Sequence, residues 1–174
     1  KYADQMAAII LEPLCLGSAG MKMYSTGYLK KIANLCEKKN ILLIIDEIAM
    51  GFGRTGKMFA FEHAGIDPDM VCLGKALTAG YMPMSSCIVK DKIYNTFNDN
   101  TDKDCTFYHG NTYAGHPIGC AAALAAIEVY KSEETIRKSI EKASFMKMEL
   151  NDFNSISCVE NIRSIGMIGV VELK

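Results

Sequence analysis

The sequence predicts an α/β protein built on a mostly parallel sheet with helices on both faces. Three observations predict it: an apolar run at residues 7–11, an amphipathic stretch at 25–39, and a second apolar run at 41–45. Short uninterrupted apolar strands are the kind covered on both faces in a parallel sheet. A strand, helix, strand succession implies a right-handed crossover that leaves the two strands parallel. With 174 residues, 49% hydrophobic and 22% charged, the chain can bury one core.

The elements follow in chain order. The first strand, 7–11, ends at Glu12-Pro13, because proline cannot donate to a ladder. From 25 to 39, Leu29, Ile32, Ala33 and Cys36 recur at helical spacing, while Lys30, Lys31, Asn34, Glu37 and Lys38 take the other face. The second strand, 41–45, delivers Asp46 to its carboxyl end. A third, 70–73, runs into Gly74-Lys75, and a fourth, 85–89, follows the turn residues 80–83. Residues 98–116 are rich in Asn, Asp, Thr and Gly and read as loop. Pro117, at a favoured first-turn position, opens an Ala-rich helix at 118–130, and a second helix runs from about 132 to 153. Two strands, 158–162 and 167–173, turn around Gly166. Residues 1–130 are expected to be part of a large domain, and 131–174 a connecting helix with the start of a smaller α/β domain. A strand so close to the first residue, and another ending at Lys174, read as an internal fragment.

Composition narrows the function classes. A formal net charge of -1 supplies no basic field for nucleic acid or an anionic membrane, and no apolar run reaches the length of a membrane span. Seven scattered cysteines without a C-x-x-C pair argue against a disulfide framework and fit a reducing cytoplasm. Small molecules are the expected partners.

Three constellations could carry chemistry. Residues 51–56 match G-x-G-x-x-G literally, but 46–50 separate them from the strand and no helix starts at Gly56, so a surface loop with tight turns is the simpler reading. Cys105, His109, His116 and Cys120 could in principle supply four zinc ligands to a small binding module, yet they lack the tight spacing of structural zinc sites. The third is Asp46 with Lys75, each past the carboxyl end of a strand, the edge where open α/β sheets bind ligands. Alone, the carboxylate could be a helix cap and the lysine a solvated surface group. Together they match what pyridoxal 5'-phosphate requires: an amine to hold its aldehyde and a carboxylate to keep its ring nitrogen protonated.

These residues stand within blocks that resemble the class III aminotransferases of fold-type I architecture. The blocks are Leu11-Glu12-Pro13 with Gly17 and Gly20; 44–48 followed by 51–56; Pro68-Asp69-Met70 leading to 73–77; and 109–113 before Pro117 and 121–123. Order and spacing agree over nearly the whole chain. Met50, Ala79, Asn111 and His116 depart from the commoner residues Thr, Gly, Pro and Asn.

The resemblance implies that Lys75 is the lysine bound to the cofactor aldehyde, Asp46 the partner of the pyridine nitrogen, and Ile48 an apolar residue on the ring face. It implies that Thr112 and the Asn111 backbone grip the cofactor phosphate of a neighbouring subunit, hence a homodimer. Gly110 would line the substrate pocket, with Arg54 near it. The blocks 59–64 and 165–172 point to the branch that transfers the amino group of S-adenosylmethionine to a keto precursor of biotin. Another omega-amine donor, ornithine or 4-aminobutyrate, is the alternative. The family's Gly-rich phosphate loop, ring-stacking aromatic and carboxylate-binding arginine have no counterpart in this chain, so it is expected to be inactive alone.

Overall fold

The computed structural model describes residues 2–98 and 105–174. Strands β1 (Ala8–Leu11), β4 (Leu42–Asp46), β5 (Met70–Leu73) and β6 (Ser86–Val89) form a sheet in the order β1-β4-β5-β6, parallel except for β5–β6. Between β1 and β4 lie a small hairpin, β2 (Cys15–Leu16) and β3 (Lys22–Met23), and helix α1 (Thr26–Lys39). Ser25 opens α1 by accepting the Tyr28 N–H on its hydroxyl, and Asn40 closes it in the left-handed conformation, returning its own N–H to the Cys36 carbonyl. Both are ordinary helix punctuation. The apolar face of α1 buries Leu29 and Cys36 against Leu43 and Ile45 of β4, with Leu14, Cys15, Met50 and Ile168 completing the main core.

Helix α2 (Asp91–Asn98) follows β6. Asp69, at the head of β5, ties it to its neighbours: its carboxylate accepts the Leu43 N–H and pairs with Lys92 at 2.5 Å. Burial works to raise the Asp69 carboxyl, but the Lys92 and Leu43 hydrogen bonds and the charges of Lys92 and Lys90 prevail and hold it below its usual range.

Helices α3 (Pro117–Ser132) and α4 (Thr135–Asp152) lead to the hairpin of β7 (Val159–Ile165) and β8 (Ile168–Leu173), a separate two-stranded sheet. Tyr130 of α3 donates its hydroxyl to the Ala76 carbonyl at 2.5 Å, anchoring the turn that begins at Lys75.

Within this chain β1 alternates exposed and half-buried residues, with Ile10 61% exposed, so one face of the strand is uncovered. One expectation needs correction: the glycine segment 51–56 is not a surface loop. Gly51, Gly53 and Thr55 are buried, and α4 and the β7–β8 turn dock on it. Ser139 donates to the Gly53 carbonyl and Met167 N–H to the Arg54 carbonyl. A Cβ on Gly53 would lie 2.4 Å from Ile136, and one on Gly166 2.3 Å from the Arg54 carbonyl oxygen. These glycines are there for close approach, at φ of +90° and +54°. Of the loop expected at 98–116, residues 99–104 lie outside the described residues.

Candidate active site

Three parallel strands end on one edge of the sheet, and each hands a functional group to it. β1 is followed by Glu12, β4 ends at Asp46, and β5 runs through Gly74 into Lys75. Glu12, Gly17, Ser18, Asp46, Ile48 and Lys75 line one cavity of about 520 Å³ there, a size ordinary for small-molecule sites. A smaller hollow of about 190 Å³, lined by Asp67, Asp69 and Lys90, lies at the opposite edge, away from Lys75.

Local geometry fixes each wall. The Asp46 carboxylate accepts the Ile48 N–H at 3.0 Å, so the turn after β4 locks the carboxylate and sets Ile48 beside it. Ile48 packs onto Gly74, whose missing side chain leaves only 3.2 Å between its notional Cβ and Ile48 Cγ2. Lys75 therefore leaves β5 directly behind Ile48. Its φ of +44° is left-handed, a conformation costly for a residue with a side chain. Such strain persists where surrounding structure over-determines it, commonly at functional sites. Here Leu77 N–H bonds the Gly74 carbonyl, and Tyr130 holds Ala76.

Glu12 was not among the expected site residues. Its carboxylate accepts the Gly17 N–H at 2.9 Å, closing the loop that floors the cavity, and its carbonyl accepts the Tyr24 hydroxyl. Burial pushes the Tyr24 phenol up to about 12, so it remains a donor there. The signal in the sequence was the Leu11-Glu12-Pro13 and Gly17 block.

The structure brings Asp46, Ile48 and Lys75 together but leaves the other expected residues outside this cavity. Gly110, Asn111 and Thr112 are exposed, in a turn where Asn111 accepts the Tyr113 N–H on its side chain. Arg54 is exposed, close enough to Tyr130 to act on its phenol electrostatically, but it does not line the cavity. Cys105, His109, His116 and Cys120 do not assemble: His116 instead caps α3, its Nδ1 accepting the Gly119 N–H. Among the described residues, no three His, Cys, Asp or Glu side chains form a group that could hold a metal.

Beside Asp46, the Glu47 side chain is fully buried. Its Oε1 accepts the Phe61 N–H at 2.9 Å, while Oε2 has no partner among the described residues. Burial raises the Glu47 carboxyl to about 7 against the opposing backbone hydrogen bonds of Phe61 and Ala60, and the charges of Glu62 and Asp46 add to the rise.

Comparison with known proteins gives a consistent result. The family model "Aminotransferase class-III" matches residues 1–174. An adenosylmethionine-8-amino-7-oxononanoate aminotransferase of Anoxybacillus flavithermus is 39% identical over 173 residues, which cover 99% of this chain and 38% of that protein. The crystal structure of the enzyme of that name from Methanocaldococcus jannaschii superposes with a TM-score of 0.94 at 37% identity, covering 99% of this chain and 40% of that one. An (S)-enantioselective omega-transaminase from Thermomicrobium roseum reaches a TM-score of 0.92 at 34% identity, covering 99% and 38%. The chain thus spans about two-fifths of the length of the relatives it matches.

Proposed function

The chain belongs to the class III aminotransferases, and from that membership we propose that the protein containing it transfers amino groups using pyridoxal 5'-phosphate held at Lys75 and Asp46. The observation that carries this reading is the convergence of one primary amine, one carboxylate and an apolar side chain on the wall of a single cavity. Those donors fit the cofactor. Lys75 supplies the amine for its aldehyde, Asp46 the anion for its ring nitrogen, and Ile48 an apolar surface for its ring. When bound, the cofactor supplies an electrophilic carbon and a ring that accepts an electron pair.

This chain's own residues would do the rest. Asp46, locked by the Ile48 N–H, would hold the ring nitrogen and favour its protonated form. Lys75 would have two tasks: its Nζ would hold the cofactor through the aldehyde carbon, and its amine, when free, would carry the proton from the donor's alpha carbon. Glu12, by fixing the Gly17 loop, keeps the cavity floor in place. Thr112 and the Asn111 backbone, exposed on the surface, would grip the cofactor phosphate of a second copy in a homodimer, with Gly110 and Arg54 nearer to the substrate. Residues 1–130 would belong to the large cofactor-binding domain and 131–174 to the connection into a smaller one. Among the described residues no helix is long and apolar enough to cross a membrane, and a cytoplasmic site of action is part of the proposal.

For substrate, we propose S-adenosylmethionine as donor and 8-amino-7-oxononanoate as acceptor, giving 7,8-diaminononanoate. The names of the relatives at 36–41% identity support this. The omega-transaminase likeness favours a second reading, another amine donor such as ornithine or 4-aminobutyrate, because a nearly equal TM-score accompanies a different reaction. An amino-donor screen of the full-length protein separates the two. Turnover with S-adenosylmethionine and little with ornithine or 4-aminobutyrate is expected; the reverse order would overturn the substrate assignment and leave the cofactor site intact.

A further inference from the structure

We propose that Arg163 is a positioning residue for substrate binding: its guanidinium clamps the loop 17–21 that floors the cavity, and so helps decide which amino donor fits beside the cofactor. This deepens the proposed function and rests on it for what the cavity holds. Asp46, Ile48 and Lys75 are the cavity residues assigned to the cofactor, whereas Gly17, Ser18 and Met21 line the same cavity without such a role.

The loop cannot hold its own shape. It is one turn of 3-10 helix, Gly17–Ala19, closed by Gly20 in the left-handed conformation at φ +78° and followed by Met21 at φ +51°. A turn this short has few hydrogen bonds of its own and poor geometry in those it has, and a left-handed residue with a side chain persists only where its surroundings over-determine it. The loop is fastened at both ends instead. At its entry the Glu12 carboxylate accepts the Gly17 N–H at 2.9 Å. At its exit the Gly20 carbonyl accepts an N–H from Arg163 Nη2 at 3.2 Å, across 143 positions of sequence.

The geometry asks for an arginine. Arg163 of β7 faces Val170 in the ladder, which makes Glu172, two residues further along β8, its diagonal neighbour. The Glu172 carboxylate accepts from Arg163 Nη1, leaving Nη2 for Gly20. A planar fork serves both acceptors at once, and a single ammonium does not. The pairing is mutual, because the hydrogen bond and charge of Arg163 hold the Glu172 carboxyl below its usual range. The base of the clamp is firm: Ile165, Ile168 and Val170 pack in the main core, and the Met167 N–H bonds the Arg54 carbonyl. Every partner in this network lies within the chain.

Loosening the loop lowers the fraction of molecules with the cavity floor in place, and apparent substrate affinity falls by that fraction. Asp46 and Lys75, carried on β4 and after β5, stay where they are. A raised KM at nearly constant kcat is the mark of such a loss. The test uses Arg163→Lys in the full-length protein with cofactor bound, and measures amide hydrogen exchange by mass spectrometry, cofactor content by absorbance, and kinetics with the donor that the unmutated protein prefers in the screen above. Exchange should quicken in the peptide carrying Gly17 and stay unchanged in β7 and β8. Cofactor content should hold, with KM for the donor raised about tenfold, as for a floor in place one time in ten, and kcat within about twofold. Glu172→Gln should shift the same readouts in the same direction, and the double variant should go no further than Arg163→Lys, because both act on one contact. Unchanged exchange at Gly17 would overturn the clamp. A loosened loop with unchanged KM, or a joint loss of kcat and cofactor, would overturn its part in substrate binding. A loosened loop in a protein whose unmutated form turns over no amino donor would overturn the proposed function, and the substrate role with it, while the clamp itself would stand.

Discussion

Asp46 and Glu47 are adjacent carboxylates with opposite surroundings. Asp46 is half-buried at the cavity and bonded to the Ile48 N–H; replacing it by Asn keeps the shape but cannot keep a ring nitrogen protonated. Asp46→Asn in the full-length protein should fold normally and lose turnover by roughly 3–4 kcal/mol of transition-state stabilisation. Steady-state kinetics check this, and near-normal turnover would place the ring nitrogen elsewhere. Glu47 faces the core, and its effect is on stability. Below about pH 4.5, its ordinary value, the carboxyl is neutral whether the chain is folded or unfolded. Above it the unfolded chain ionises while the folded chain keeps its proton until about 7. Stability therefore falls as pH rises through that window and stays lower above it, by on the order of 3 kcal/mol. Denaturant unfolding at pH 5 and pH 8 should show a larger loss in the unmutated protein than in Glu47→Gln. Equal losses would mean that Glu47 ionises freely in the fold. Nothing local in the sequence marks Glu47 as buried, because its burial depends on a contact with Phe61, fourteen residues away.

At the level of elements, strand ends were more legible than strand environments. The apolar runs and the following polar residues fix where β4 and β5 stop, which is why the sequence alone puts Asp46 and Lys75 on one edge. The apolar run of β1 carries no record of which segments cover its faces, and within this chain one face is uncovered. Helix α2 is harder to read from sequence because it is only two turns long: Ile93, Tyr94 and Phe97 stand at helical spacing, but Asp91–Asn98 is too short to repeat the pattern. The glycine segment was recognised as turns, but its use as a dock for α4 and the β7–β8 hairpin depends on residues more than eighty positions later. That dock is sensitive to a single methyl. Gly166→Ala forces a Cβ against backbone atoms of Arg54 and Thr55 at a φ of +54°, where neither neighbour can rotate away. A loss of about 3 kcal/mol in unfolding free energy is expected from the clash and the left-handed strain together. A loss below about 1 kcal/mol, read by chemical denaturation, would mean that the hairpin does not rest on the glycine segment.

Across the whole molecule, this chain holds the amine and the anion of the site on two neighbouring parallel strands, while its relatives are more than twice as long. The residues expected to grip a phosphate, Asn111 and Thr112, sit exposed in a turn, where the role proposed for them would require a second copy. Substrate choice is equally distributed, since similar folds accompany different transaminase names. The lysine proposed to bind the cofactor is marked locally, and the rest of the proposed chemistry depends on it. Borohydride reduction of the full-length protein with its cofactor bound, followed by digestion and mass spectrometry, locates that lysine directly. The reduced cofactor should be found on the peptide carrying Lys75, and Lys75→Ala should yield no adduct and no turnover. An adduct on a different lysine, or an active Lys75→Ala protein, would contradict the assignment of this cavity as the cofactor site.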